Sequence, residues 1–358
     1  MKAPLGIPLW TIVLPLLAAA LLGASPLFHQ PLLTLIPGAV LIGTVLSAVH
    51  HAEAIAHRTG EPYGTLILAI AVTVIEVSLI LSLMLAGGPG SETLARDTVF
   101  AAVMIIFTLI VGLCLLVGGY RFKEQRFGVL GANAALIALT AIIGLTLILP
   151  NYTITTPGPA YSHPQLIFVA VVSLILYGTF VSVQTVRHRE YFLTDGPDED
   201  HHAPRVGNTG LVVTLLLLLV GLTAVVLLAK KLAPTIESGV VSLGAPKSLV
   251  GVIVALVILL PEGLAAVKAA RSDRLQTSLN LALGSALASI GLTIPAVAVA
   301  SLVTGLDLAL GLPPKDMVLL LVSLFTLALS LGTGRTNILQ GVVLLVLFAV
   351  YLFTSIFP

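Results

Sequence analysis

TLILAIAVTVIEVSLILSLMLA, residues 65–86, is an apolar stretch with one ionisable side chain, Glu76, near its middle. SLVGVIVALVILLPEGLAAV, residues 248–267, repeats the arrangement with Glu262. About 20 apolar residues span the roughly 30 Å hydrocarbon core of a bilayer as a helix, so both stretches read as transmembrane. A charge at bilayer depth costs roughly 2.5 to 3.5 kcal/mol on insertion scales, which makes each glutamate a functional-site candidate. Composition extends the reading to the whole chain. With 58% hydrophobic and 9% charged residues, its 358 residues have too little polar surface to cover a soluble globule. The expected class is an all-α polytopic membrane protein.

Counting spans on that length rule predicts eleven transmembrane helices, at 8–25, 32–49, 65–86, 98–119, 129–149, 165–186, 210–229, 248–267, 278–304, 316–331 and 337–356. The first resembles a signal peptide in outline, since Lys2 precedes an apolar run ending at GAS, but its charged region is minimal. With the N-terminus inside, Lys2, Arg58, Arg121, Lys123, Arg126, Arg187, Arg189, Arg205, Lys268, Arg271, Arg274 and Arg335 fall on the cytoplasmic side. Only Arg96, Lys230, Lys231, Lys247 and Lys315 fall outside. The positive-inside rule therefore favours an inner N-terminus and an outer C-terminus.

Residues 1–30 form an extra first helix, and the longest polar break, 187–209 (RHREYFLTDGPDEDHHAPRVGNT), divides the other ten into two fives, 31–186 and 210–358. Five is odd, so the second half crosses the membrane in the opposite sense, as an inverted repeat. Glu76 and Glu262 then occupy the second helix of each half. At 1.5 Å per residue they lie about 17 Å and 21 Å from the ends of their spans, near the midplane where such carriers bind substrate.

Pro261 and Gly263 flank Glu262, and a helix break there would free carbonyls for an ion. Thr65 and Thr73 share the face of Glu76. The ninth helix has Ser278, Ser285, Ser289 and Thr293 on one face, with Asn280 and Gly284 beside it; the fourth has Asp97, Ala101 and Thr108. Small and hydroxyl residues also serve close helix packing. Next to a midplane carboxylate they read as lining, so Thr73, Ser285, Ser289 and Asn280 join the glutamates as candidate ligands.

The stretches HAEAIAHRTGEPYGTLILAIAVTVIEVSLI (51–80), LVILLPEGLAAVKAARSDRLQTSLNLALGSALASIGLTIP (256–295) and LGTGRTNILQG (331–341) resemble the ChaA-type bacterial calcium/proton and sodium/proton antiporters of the cation/calcium exchanger superfamily. The resemblance implies one essential acid per half, on Glu76 and Glu262, and a fold of one extra helix plus two inverted five-helix repeats. It also implies a bacterial cytoplasmic-membrane location. Against the better-known calcium/proton exchangers, Val72 to Ile75 replace a Gly-Asn pair before the first acid, and Ala288 stands where an amide follows Gly284 and Ser285. The carboxylates match and the amides do not, which leaves room for sodium or potassium beside calcium.

The chemistry stands without the resemblance. Calcium takes six to eight oxygens, which two carboxylates, hydroxyls, carbonyls and water supply. Without the cation, two like charges facing each other in a poorly solvated cavity are costly, so protons replace it. Cation and proton then compete for one site, and their exchange is coupled.

Weaker features have plainer readings. His50, His51, Glu53, His57 and Glu61 cluster near the cytoplasmic end of the second helix; His51, Glu53, His57 and Glu61 are candidates for pH sensing or ion entry, against ordinary solvated histidines. Asp195, Asp198, Glu199, Asp200, His201 and His202 lack EF-hand spacing and read as a solvated linker. GTGRT at 332–336 lacks the following Gly-Lys-Ser/Thr of a phosphate loop. Cys114 is the single cysteine, which excludes an intramolecular disulfide.

A secondary antiporter that exports Ca2+, with room for Na+ or K+ beside it, in exchange for H+ by alternating access at a midplane two-glutamate site explains the paired acids and the odd half-repeats. A monovalent antiporter is the alternative, a membrane-embedded metal-dependent enzyme a less favoured one, and a sensor without transport a third class. No cofactor is called for. The expected partners are the lipid bilayer, cations and protons, with no nucleic acid, and the oligomeric state is open.

Overall fold

Long apolar runs dictate helix, because a backbone in hydrocarbon must satisfy its polar groups internally. The computed structural model describes residues 7–23, 35–60, 63–86, 90–193, 208–242, 244, 246 and 248–357. Among them are eleven helices: α1 Leu9–Leu21, α2 Leu35–Thr59, α3 Tyr63–Ala86, α4 Ser91–Phe122, α5 Val129–Tyr152, α6 His163–Arg187, α7 Asn208–Ser242, α8 Ser248–Arg271, α9 Leu275–Thr304, α10 Pro314–Leu331 and α11 Ile338–Ile356. Two short strands, β1 Gln125–Arg126 and β2 Arg335–Thr336, pair antiparallel.

Among the described residues, ten helices are long and apolar enough to cross a membrane. The exception is α1, expected over 8–25 but only 13 residues long, about 20 Å of helix against a core of roughly 30 Å. Elsewhere helices outrun their apolar windows, since a charge ends the window without ending the backbone bonding. Thus α2 carries its histidines through His57 and stops only where Gly60 takes φ +72. α7 runs 35 residues.

Pro261 does not break α8, which is continuous from Ser248 to Arg271. Its missing N–H still leaves the Val257 carbonyl without an i→i−4 donor. α4 departs from regularity where nothing in its sequence announces it. Residues Ile105–Ile110 form a π turn, which interrupts the 3.6-residue count on which the Asp97–Ala101–Thr108 face depended.

The chain forms two compact units, and neither coincides with a half of the sequence. The first unit comprises α1, α2, α3 and α7. In it α2 packs against the other three. Gly221 of α7 approaches Ala48 of α2 and Pro15 of α1, and Gly43 of α2 faces Leu14. Lys231 donates to the Leu22 carbonyl at the end of α1, where a cation suits the helix dipole.

The second unit comprises α4, α5, α6, α8 from Gly251 onward, and α9 to α11. α9 contacts α4, α5 and α6. α4 and α11 meet through glycines: a Cβ on Gly341 would lie 2.4 Å from Leu116 N, and one on Gly119 would lie 2.6 Å from Ile338 N. Only small residues allow backbones this close.

Polar side chains knit both ends of this unit. At one, Gln125 Nε2 donates to Ala270 O (3.1 Å) and Asp273 Oδ1 (2.8 Å), and Gly128 N donates to Gln276 Oε1 (2.6 Å). At the other, Arg96 bonds Asp97 through Nε and Nη2 (both 2.8 Å) and Gly311 O through Nη1 (3.0 Å). Ala309 N donates to Glu92 O there (3.0 Å).

Candidate cation site

Glu76 lies on α3 of the first unit, about 20 Å of helix from Tyr63 and about 15 Å from Ala86. It is 2% exposed, between Ile75 and the buried Leu79 and Ile80. Thr73, one turn earlier, is buried as well. Nearby polarity is absorbed locally, Ser82 Oγ donating to Ser78 O at 2.6 Å.

Glu262 lies on α8 of the second unit, about 21 Å of helix from Ser248 and about 13 Å from Arg271. It is half-buried. Two glycines fix where α8 runs. A Cβ on Gly251 would sit 3.0 Å from Thr98 N, and one on Gly263 would sit 3.3 Å from Ile110 Cδ1. Gly251 therefore meets the start of α4, and Gly263 meets a residue further along it, so the two helices run parallel. This places the turn of Glu262 beside the π turn of α4, where the Thr108 hydroxyl donates to Met104 O at 2.5 Å.

On α9, Ser278, Ser289 and Thr293 are buried and Ser285 is half-buried. α9 is continuous across all four, so they keep the common face. Asn280 departs from the ligand role expected of it. Its Nδ2 donates to Phe192 O (2.6 Å) and its Oδ1 accepts from Gln276 Nε2 (3.0 Å). Both ends of that amide are engaged, one holding α9 against the chain leaving α6 and the other bonded to Gln276 one turn back on α9 itself. Asp97, at the far end of α4, is compensated by Arg96 and accepts from Thr93 Oγ1 (3.0 Å).

The histidine cluster separates. His51 is 1% exposed and donates from Nε2 to Thr11 O (3.0 Å), while Glu53 and His57 are exposed one turn apart on α2. His50 turns its ring towards Trp10, 5.6 Å between centroids. Glu61 and the acidic, histidine-bearing part of the 187–209 break, residues 194–207, lie outside the described residues, and so does the side chain of Thr65. Among the described residues no three His, Cys, Asp or Glu side chains are grouped to hold a metal. Sequence reasoning missed the π turn, Gln125, Gln276 and the Arg96 clamp. Gly263 was read only as part of a helix break beside Glu262.

The sequence profile of the sodium/calcium exchanger protein matches residues 29–186 and 213–357. The chain belongs to that family. It is 46% identical, over 98% of its length and 97% of the relative, to the putative ionic transporter y4hA of Sinorhizobium fredii. It is 38% identical, over 88% of its length and 86% of the relative, to the sodium-potassium/proton antiporter ChaA of Escherichia coli. A Ca2+/H+ antiporter of Synechocystis is 26% identical over 92% of this chain and 90% of its own. Among solved structures, native YfkE superposes with a TM-score of 0.74 at 18% identity, covering 97% of this chain and all of the other. The H+/Ca2+ exchanger CAX gives 0.68 at 16% identity, covering 96% and 87%. At these identities the superpositions speak for the fold. This exchanger is thus a multi-pass membrane transporter of cations and not an enzyme.

Proposed function

We propose that this exchanger is a secondary cation/proton antiporter, driven by the proton gradient and working by alternating access, with Glu76 and Glu262 as the carboxylates that take up the cation or, in its absence, protons. The observation that carries the reading is Glu76, a carboxylate 2% exposed at mid-helix in an apolar span. A buried carboxylate is stable when charge-compensated or protonated, and a transported cation and a proton are interchangeable means to that end. A divalent ion exchanged for two protons leaves the site's charge unchanged; sodium for one proton requires acids of unequal affinity.

Na+ and K+ are the favoured cargo, supported by 38% identity to a sodium-potassium/proton antiporter and by Ala288 where the calcium/proton exchangers are read as carrying an amide. Ca2+ is the second reading, supported by the Ca2+/H+ antiporters at 26% identity. Ser285 and Ser289 on α9 and Thr73 on α3 are the hydroxyl ligands of the proposal. The bacterial relatives support a cytoplasmic-membrane location, and the loop charges an N-terminus inside and a C-terminus outside.

Everted vesicles carrying a pH dye, challenged separately with sodium, potassium and calcium chloride, test the reading. Dissipation of the gradient by sodium or potassium is expected, and its loss in Glu76→Gln and in Glu262→Gln. Normal exchange by both variants would overturn the site.

A further inference from the structure

We infer that Ile110, the last residue of the π turn in α4, is a positioning residue for Glu262, acting through its contact with Gly263. The inference rests on the reading of Glu262 as an exchanging carboxylate. α8 touches α4 through Gly251 at Thr98 and through Gly263 at Ile110. Glycine at both places lets α8 lie against α4 with no side chain of its own between them. Ile110 is 6% exposed and every residue of the turn except Leu109 is buried, so the surface that meets Gly263 has little room to yield.

The π turn sets which side chain that surface presents. An α-helix advances 100° per residue, so the extra residue held in a π turn re-aims the side chains beyond it. Pro261 lies one residue before Glu262 on the other helix, and there α8 lacks the bond to Val257 O that would stiffen it. At the level of Glu262 the backbone is thus compliant on one helix and packed on the other. The Ile110–Gly263 contact fixes how far the Glu262 turn stands from α4. A Cβ on Gly263 at 3.3 Å from Ile110 Cδ1 and 3.5 Å from Cγ1 is tight enough to push that turn aside without preventing the fold.

Gly263→Ala is expected to reach the membrane and raise the half-saturating cation concentration roughly tenfold, below the roughly hundredfold that a 1 Å misplacement of a working group can cost, with a displaced pH profile of exchange. Adding Ile110→Val removes the Cδ1 that the new methyl meets and is expected to restore both readouts. If Gly263→Ala fails to accumulate, Ile110→Phe, which brings bulk from α4 instead, is expected to give the same displacement. Wild-type affinity and pH profile in the bulked variant, or a Gly263→Ala defect that Ile110→Val leaves unrelieved, would overturn the inference. Glu262→Gln measured alongside separates the failures. If it exchanges normally, the reading of Glu262 falls and takes the inference with it; if it is inactive while the bulked variants behave as wild type, the inference falls alone.

Discussion

His51 Nε2 donates to the Thr11 carbonyl at 3.0 Å, and the oxygen is available because Pro15, four residues on in α1, has no N–H to give it. Ser47 Oγ, one turn before His51 on α2, donates to the same oxygen at 2.8 Å. Thr44, a further turn back, reaches Leu14 O at 3.4 Å. A proline that weakens α1 on its own thus supplies the acceptor by which α2 holds it. His51→Phe keeps a ring in the seam and removes the donor. About 1 kcal/mol of stability should be lost, with a larger combined loss in Ser47→Ala/His51→Phe, where a buried carbonyl goes unsatisfied. Thermal melting in detergent reads both, and an unchanged double variant would refute the account.

Shortening a carboxylate should differ from neutralising it. Glu76→Asp keeps the charge but withdraws it by one methylene, so exchange should persist with weaker cation affinity, while Glu76→Gln exchanges nothing. The comparison is made in the pH-dye assay at several cation concentrations. Equal activity of the two variants would show that the charge of Glu76 is not used.

Asn280→Ala separates a cation ligand from a strut. With its amide engaged by Phe192 O and Gln276, removal should cost about 1–3 kcal/mol of stability by orphaning buried groups. Apparent cation affinity of the folded protein should stay unchanged. A large affinity loss at intact stability would return Asn280 to the ligand set.

Gly341→Ala should be among the most damaging single substitutions. Its Cβ would lie 2.4 Å from Leu116 N and 2.9 Å from Gly112 O, both backbone atoms that cannot step aside. Separation of α11 from α4, seen as loss of accumulated monodisperse protein, is expected. Ala at Gly178, where the space is open, should be tolerated.

Tyr161 gives a pH prediction outside the spans. Burial pushes its phenol up to about 12 from an ordinary value of 10, and its hydroxyl donates to Leu145 O. The unfolded chain therefore loses this proton first. The contribution to stability is level below about pH 10 and declines from there to about pH 12. Tyr161→Phe should flatten that part of an alkaline melting series.

Helix number, the mid-helix positions of Glu76 and Glu262 and the common face of the α9 hydroxyls were legible in sequence, because hydrocarbon imposes helix on any apolar run and the 3.6-residue repeat does the rest. The same rule overran at α1. It also expected a break at Pro261, where packing and the remaining backbone bonds keep α8 continuous. Tertiary contact alone decided that Asn280 faces Phe192, that His51 is buried against Thr11, that Gly263 meets Ile110 and that α4 holds a π turn among residues with no Gly or Pro. The physical reason is range. Hydropathy and periodicity are properties of neighbouring residues, whereas the partner of a freed carbonyl or an absent Cβ is chosen by a helix far along the chain.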